Sequence, residues 1–260
     1  MRRAAILATA LGALALSAAA PAQQGGGDPR RSGFEFMGRD TQAMQLDDRA
    51  NPGMLSVLEG EDLWKAPAGP GGRSCASCHG ADAASMDGVA ARYPAFDAAR
   101  GEAIDLAGRI AQCREERQGA PAPRREGREL LALSAFVAHR ARGAAAAAGE
   151  DPRLAPAIAA GQSLWERRLG QLNLSCAQCH DDNAGGKLGA STIPQAHPTG
   201  YPIYRLEWQD IGSLQRRIRG CLTGVRAEPF AYGAPEYTAL EAFLMHRARG
   251  MRMEAPGVRP

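Results

Sequence analysis

The sequence predicts an all-α protein of two tandem domains made by internal duplication, and three observations predict it. Five landmarks recur in one order roughly a hundred residues apart. Apolar residues ahead of the last landmark in each copy fall at helical spacing. Aromatic residues are only 5% of the chain while Ala and Gly abound, which suits close-packed helices better than a β-sandwich. The length of 260 residues leaves room for two small domains. Hydrophobic residues at 45% and charged residues at 23% support a packed globule and exclude wholesale disorder. The formal charge of +3, from 31 basic and 28 acidic residues, is too balanced for an electrostatic nucleic-acid binder.

The chain opens with Met1-Arg2-Arg3, an almost unbroken run of small apolar residues from Ala4 to Ala19, and the A-x-A site Ala20-Pro21-Ala22. This pattern reads as a secretory signal peptide over residues 1–22, cut after Ala22 because proline is poorly accepted just beyond a scissile bond. The run is too short to span a bilayer, and no later segment is long and apolar enough. The expected compartment is the periplasm, an oxidising space where thiols need a reason to stay unpaired. A leader follows over residues 23–52, then a first domain over 53–147 and a second over 148–260.

The repeat is read in order. Gly60-x-x-Leu63-Trp64 returns as Gly161-x-x-Leu164-Trp165, and Cys75, Cys78 and His79 return as Cys176, Cys179 and His180, both at an offset of 101. Tyr93-Pro94 returns as Tyr201-Pro202, and Arg109-Ile110-x-x-Cys113 as Arg217-Ile218-x-x-Cys221, both at 108. His139-Arg140-Ala141-Arg142-Gly143 returns as His246-Arg247-Ala248-Arg249-Gly250 at 107. Entry helices are expected over Leu55–Trp64 and Pro156–Leu169, and closing helices end at Gly143 and Gly250. The Gly- and Pro-rich stretches 66–72 and 185–200 read as loops, and no run of alternating residues predicts a strand.

Both cysteine pairs have the form C-x-x-C-H. The spacing sets two thiols on one helical turn to add across the vinyl groups of a haem, and places the next imidazole under the iron. Chance supplies roughly 0.003 such motifs in a chain of this composition, and there are two. A structural zinc would need four ligands, and a thioredoxin-type pair needs a βαβ setting. The reading is therefore two covalent haems c, attached at Cys75 and Cys78 and at Cys176 and Cys179, with His79 and His180 as proximal ligands. No methionine occupies equivalent places in both copies, and His139 and His246 sit beside arginines in the last helix. Cys113 and Cys221 hold equivalent positions, and a thiolate on each iron would keep it low-spin and lower its potential. A Cys113–Cys221 disulfide is the alternative. Arg216, Arg217, Arg219 and Arg226 crowd around Cys221, and a helix there would put Arg217 and Cys221 on one face.

With these motifs in this order the chain resembles SoxA, the dihaem subunit of the SoxAX cytochrome complex, over essentially its whole mature length. The resemblance implies two tandem cytochrome c-like domains and an L-cysteine S-thiosulfotransferase activity. Thiosulfate would be attached oxidatively to a cysteine of a sulfur-carrier protein, with electrons leaving to a c-type cytochrome. It implies a SoxX-like monohaem partner, Cys221 as the catalytic, persulfide-bearing haem ligand, Cys113 as the axial ligand of the first haem, and Arg217 and Arg247 as substrate-binding arginines. A plain dihaem electron carrier is the competing expectation.

Overall fold

Each half is built on two helices that cross at a glycine. In the first, α2 (Met54–Lys65) packs on α5 (Arg128–His139); in the second, α6 (Ala155–Glu166) packs on α9 (Pro235–Arg247). A Cβ on Gly60 would fall inside the carbonyl of Ala132, and one on Gly161 inside the carbonyl of Ala239. The helices reach this separation because no side chain stands between them. Beyond the crossing, Trp64 packs on Phe136 with ring centroids 5.5 Å apart, and Trp165 on Phe243 at 5.9 Å. The motif that opens the repeat in sequence is thus a packing device repeated in space.

The computed structural model describes residues 28–260; the expected signal peptide lies outside the described residues. Among the described residues no helix is long and apolar enough to cross a membrane. Between the crossing helices each half runs through the same series. A short helix carries the C-x-x-C-H turn, α3 (Ala76–His79) or α7 (Cys176–His180). A cis Tyr-Pro step at 93–94 or 201–202 leads into a three-residue hairpin, β1 (Ala95–Asp97) with β2 (Glu102–Ile104) or β5 (Ile203–Arg205) with β6 (Asp210–Gly212). A capped helix then carries the lone cysteine, α4 (Leu106–Gln118) behind Asp105 or α8 (Leu214–Gly224) behind Ser213. Only the second half adds the small hairpin of β3 (Lys187–Leu188) and β4 (Ser191–Thr192), and a parallel strand β7 (Gly257–Arg259) beside β5.

The fold is therefore helix-rich with three small sheets, which corrects the strictly all-α expectation. The strands are two or three residues long, shorter than the four to eight over which alternation can be read, so the pattern held no signal for them. The described part of the leader packs on the second half. Arg30 Nη1 donates to the carbonyls of Arg247 and Arg249 at 2.9 and 2.7 Å, and Ser32 Oγ to Glu254 at 2.7 Å. Helix α1 (Arg39–Leu46) lies on β7, where Gln45 Oε1 accepts from the Val258 amide at 3.0 Å. The bridge between copies is also held, since Ala144 and Ala146 exchange backbone hydrogen bonds with Gly250, Met251 and Met253 at 2.8–2.9 Å.

A polar knot ties the halves together. Asp105 caps Gly108, pairs with Arg125, and accepts from Gln215 Nε2 of α8 at 2.7 Å. Glu241 of α9 is drawn into the same group. Burial first, and the Asp105 charge second, push its carboxyl up to about 8. A folded-state value above the ordinary one means that stability present in acid is lost as pH rises through the folded value. Glu241→Gln should therefore melt a few degrees above the parent at pH 8, with the gap closing near pH 4, in thermal scans by circular dichroism. The crossing makes a second expectation: Gly161→Ala should cost about 1–3 kcal/mol by forcing the helices apart. Gly38→Ala, where an added Cβ meets nothing, should change denaturant midpoints little.

Candidate active site

Local caps fix the ligand turns. At α7, Ser175 Oγ accepts from the Gln178 amide at 3.2 Å and Gln178 Oε1 from the Ser175 amide at 2.9 Å, a reciprocal box that opens one turn bearing Cys176, Cys179 and His180. The first half achieves the same with Ser74 and Ser77, whose hydroxyls each accept from the other's amide at 3.1 Å. His180 Nδ1 lies 2.7 Å from the Pro194 carbonyl. That contact assigns the proton to Nδ1 and leaves Nε2 with a lone pair for a metal. Trp165 stacks on the imidazole at 5.5 Å, and its Nε1 donates to Asp181 Oδ2 at 2.7 Å.

The side chains converge on a cleft of about 270 Å³ that is open to solvent. Cys176, His180, Trp165, Ile218, Leu244 and Cys221 are among its walls. Ser213 caps α8 by accepting from the Arg216 amide at 3.1 Å, and the helix sets Arg217 and Cys221 on one face, both lining the cleft. The Cys221 thiol and the His180 ring line the same cleft. Burial pushes that thiol up, but the neighbouring His180 ring and the charges of Arg217 and Arg205 together bring it below the ordinary cysteine value. Cys113 goes the other way: burial pushes it up, and Arg109 and Arg117 only partly oppose this. Cys176 is pushed up to about 11 by burial and by the neighbouring Cys221 charge.

All six cysteines are free thiols. Each lone cysteine lies beside its own pair, Cys113 near Cys75 and Cys78, and Cys221 near Cys176, which is the arrangement the repeat led us to expect and not that of an interdomain bridge. These residues fit a haem. Among the described residues no group of three or more His, Cys, Asp or Glu side chains could hold a bare ion. A facing imidazole and thiol supply two ligands, and a porphyrin supplies the other four. One thiol of the C-x-x-C-H turn, Cys176, stands in the same cleft.

Of the arginines that crowd Cys221 in sequence, only Arg217 enters the cleft. Arg216 pairs with Asp210 at 3.6 Å and lies over Trp208, and Arg219 donates to the Phe230 carbonyl and lies over Tyr232. Arg247 is not in the lining either. It pairs with Asp181 at 2.5 Å and lies 4.6 Å over the Trp165 ring. Sequence reasoning passed over Arg205, Arg259 and His197, which do line the cleft, together with Phe36 and Met37 from the N-terminal segment. Arg205 could have been found by extending the repeat alignment through the hairpins; the N-terminal contacts carry no sequence signal.

The chain matches the family described as SoxA/TsdA, cytochrome c domain, over residues 59–146 and again over 160–253. It is 36% identical to the L-cysteine S-thiosulfotransferase subunit SoxA of Rhodovulum sulfidophilum across 89% of this chain and 81% of that one. With the subunit of the same name from Paracoccus pantotrophus it shares 34% over 88% of this chain and 78% of that one. The crystal structure of SoxXA from P. pantotrophus superposes with a TM-score of 0.85 at 33% identity, covering 89% of this chain and 87% of the other. With two cytochrome c domains matched in one chain and SoxA relatives along most of its length, the protein belongs to the SoxA/TsdA cytochrome c family.

Proposed function

We propose that the protein is the dihaem catalytic subunit of an L-cysteine S-thiosulfotransferase, with its chemistry in the second half. The observation that carries this is the meeting of Cys221, His180 and Arg217 in one cleft. Covalent haem c at Cys75 and Cys78 and at Cys176 and Cys179 would be ligated by His79 with Cys113 and by His180 with Cys221. A haem held there would supply one-electron acceptance, and a c-type cytochrome would be the onward acceptor.

The chain's own residues do the rest. Arg217 presents a fork of donors that matches the sulfonate oxygens of thiosulfate. It holds the sulfane sulfur toward Cys221, whose thiolate is the nucleophilic form. An S–S bond between Cys221 and the sulfane sulfur forms with loss of two electrons and leaves Cys221 as an S-thiosulfonate. A carrier cysteine thiolate then attacks that sulfane sulfur, takes the thiosulfonate, and returns Cys221 as thiolate. Arg247, tied to Asp181 and lying over Trp165, positions the ring that packs on His180 rather than meeting the substrate.

The apolar run and A-x-A site over residues 1–22 support export to the periplasm. The likeness to the SoxA chain of a SoxXA crystal structure supports a SoxX-like monohaem partner.

Hydrolysis of the Cys221 S-thiosulfonate, with sulfate leaving, would strand one sulfur atom on the cysteine, so mass spectrometry of the exported protein should show two haem additions and, on the Cys221 peptide, an adduct of about 32 Da. A Cys113–Cys221 linked peptide would end the proposal. Cys221→Ala should keep both haems and lose thiosulfate turnover; retained turnover would leave a plain electron carrier. Arg217→Ala should raise the thiosulfate KM about tenfold or more, and Arg217→Lys should recover part of it.

A further inference from the structure

The two halves can be compared position by position through the hairpin and the helix behind it. From Tyr93 to Cys113 and from Tyr201 to Cys221 there is no gap, and the offset is 108 throughout. The strands pair in the same register: Asp97 opposes Glu102 in the first hairpin and Arg205 opposes Asp210 in the second. The equivalent of Arg205 is therefore Asp97, and the equivalent of Arg217 is Arg109.

That exchange inverts the charge beside the lone cysteine. In the first half Asp97 is buried, with 4% of its side chain exposed, and its carboxylate lies 3.3 Å from Arg109 Nη1. Arg109 also donates to Gln112 Oε1 at 2.5 Å. Its charge is spent within the protein. In the second half no carboxylate among the described residues pairs with Arg217, and the strand position beside it carries another cation. Arg205 is held by a hydrogen bond from Nε to the Pro260 carbonyl at 2.8 Å, and its side chain is 11% exposed. Its one side-chain carboxylate partner among the described residues is Glu207 at 2.6 Å, whose own side chain is 64% exposed. Burial, and next the Arg217 charge, push Arg205 down from the usual guanidinium value, as expected for neighbouring like charges. Both line the cleft that holds Cys221.

Resting on the thiosulfotransferase reading, we propose that Arg205 is a second substrate-binding guanidinium, so that Arg205 and Arg217 together form a subsite for a small dianionic sulfur oxoanion. The Asp97-to-Arg205 exchange then confines that subsite to one of two otherwise matched haem sites. Two cations held side by side are unfavourable until an anion lies between them, so the pair favours a dianion over a neutral ligand. Glu207 competes for Arg205 from the rim and tempers the affinity.

The test uses the haem-loaded complex with its partner subunit, with thiosulfate as substrate and sulfate as a competing anion that carries no sulfane sulfur. Arg205→Asp, which copies the first half, should raise the thiosulfate KM and the sulfate inhibition constant about tenfold or more, with kcat changed far less. Arg205→Lys should restore most of the binding, and Glu207→Gln should lower KM. Wild-type KM and sulfate inhibition in Arg205→Asp would overturn the subsite. So would a fall in kcat alone in both Arg205 variants, since that is the mark of a merely structural role. A parent complex with no thiosulfate turnover at all would instead remove the underlying functional reading, and the subsite with it.

Discussion

The second half is organised around one pairing: an imidazole and a thiol that line one cleft. His180 is held from behind by the Pro194 carbonyl and from the side by the Trp165 ring. Cys221 is held by a helix whose first turn is capped by Ser213. Neither residue is positioned by its sequence neighbours alone. The Trp165 ring reaches His180 because α6 lies so close on α9, and that closeness requires a glycine at 161. Bringing the two faces together is thus the work of the helix crossing, and a side chain at one position would disturb chemistry some distance away.

Duplication gives the two halves the same frame, and small departures give them different chemistry. The capped ligand turn, the Tyr-Pro step, the hairpin and the cysteine helix recur unchanged in order. What differs is what surrounds the lone cysteine. Around Cys113 burial outweighs the arginine charges and pushes the thiol up, while around Cys221 the neighbouring His180 ring and the Arg217 and Arg205 charges outweigh burial and bring it down. The second half also gains β7 and the N-terminal segment, which bring Arg259, Phe36 and Met37 to the cleft. These additions enclose one site and have no counterpart in the repeat.

Much of this was legible in the sequence because the repeat supplied its own alignment. Gly60 and Gly161, the two tryptophans, the C-x-x-C-H turns and the lone cysteines were each visible twice, and each occupies matched structural positions. The helical face shared by Arg217 and Cys221 followed from a spacing of four. The hairpins were not legible, since three residues are too few to show alternation. Nor was the packing of residues 28–46 on β7, which rests on single contacts such as Gln45 to Val258 between segments far apart in the chain. The partners of Arg247 were not legible either. Its neighbourhood in sequence is basic, but Asp181 and Trp165 claim its guanidinium, and only the folded chain shows that partnership.

Charge near a reactive thiol has two effects that need separating. A cation lowers the thiol's pKa whether or not it is already paired, but a buried carboxylate beside it competes with a substrate anion more than an exposed one does. Arg109 illustrates the difference, because it opposes the upward shift of Cys113 yet is committed to Asp97 and Gln112. Arg217 does both, because no carboxylate among the described residues claims it and the neighbouring strand offers a second cation. Counting arginines around each cysteine therefore could not distinguish the two sites. Their difference lies in the sign of one side chain on a three-residue strand, which decides whether the arginine four residues before the cysteine faces a fixed carboxylate or an incoming oxyanion.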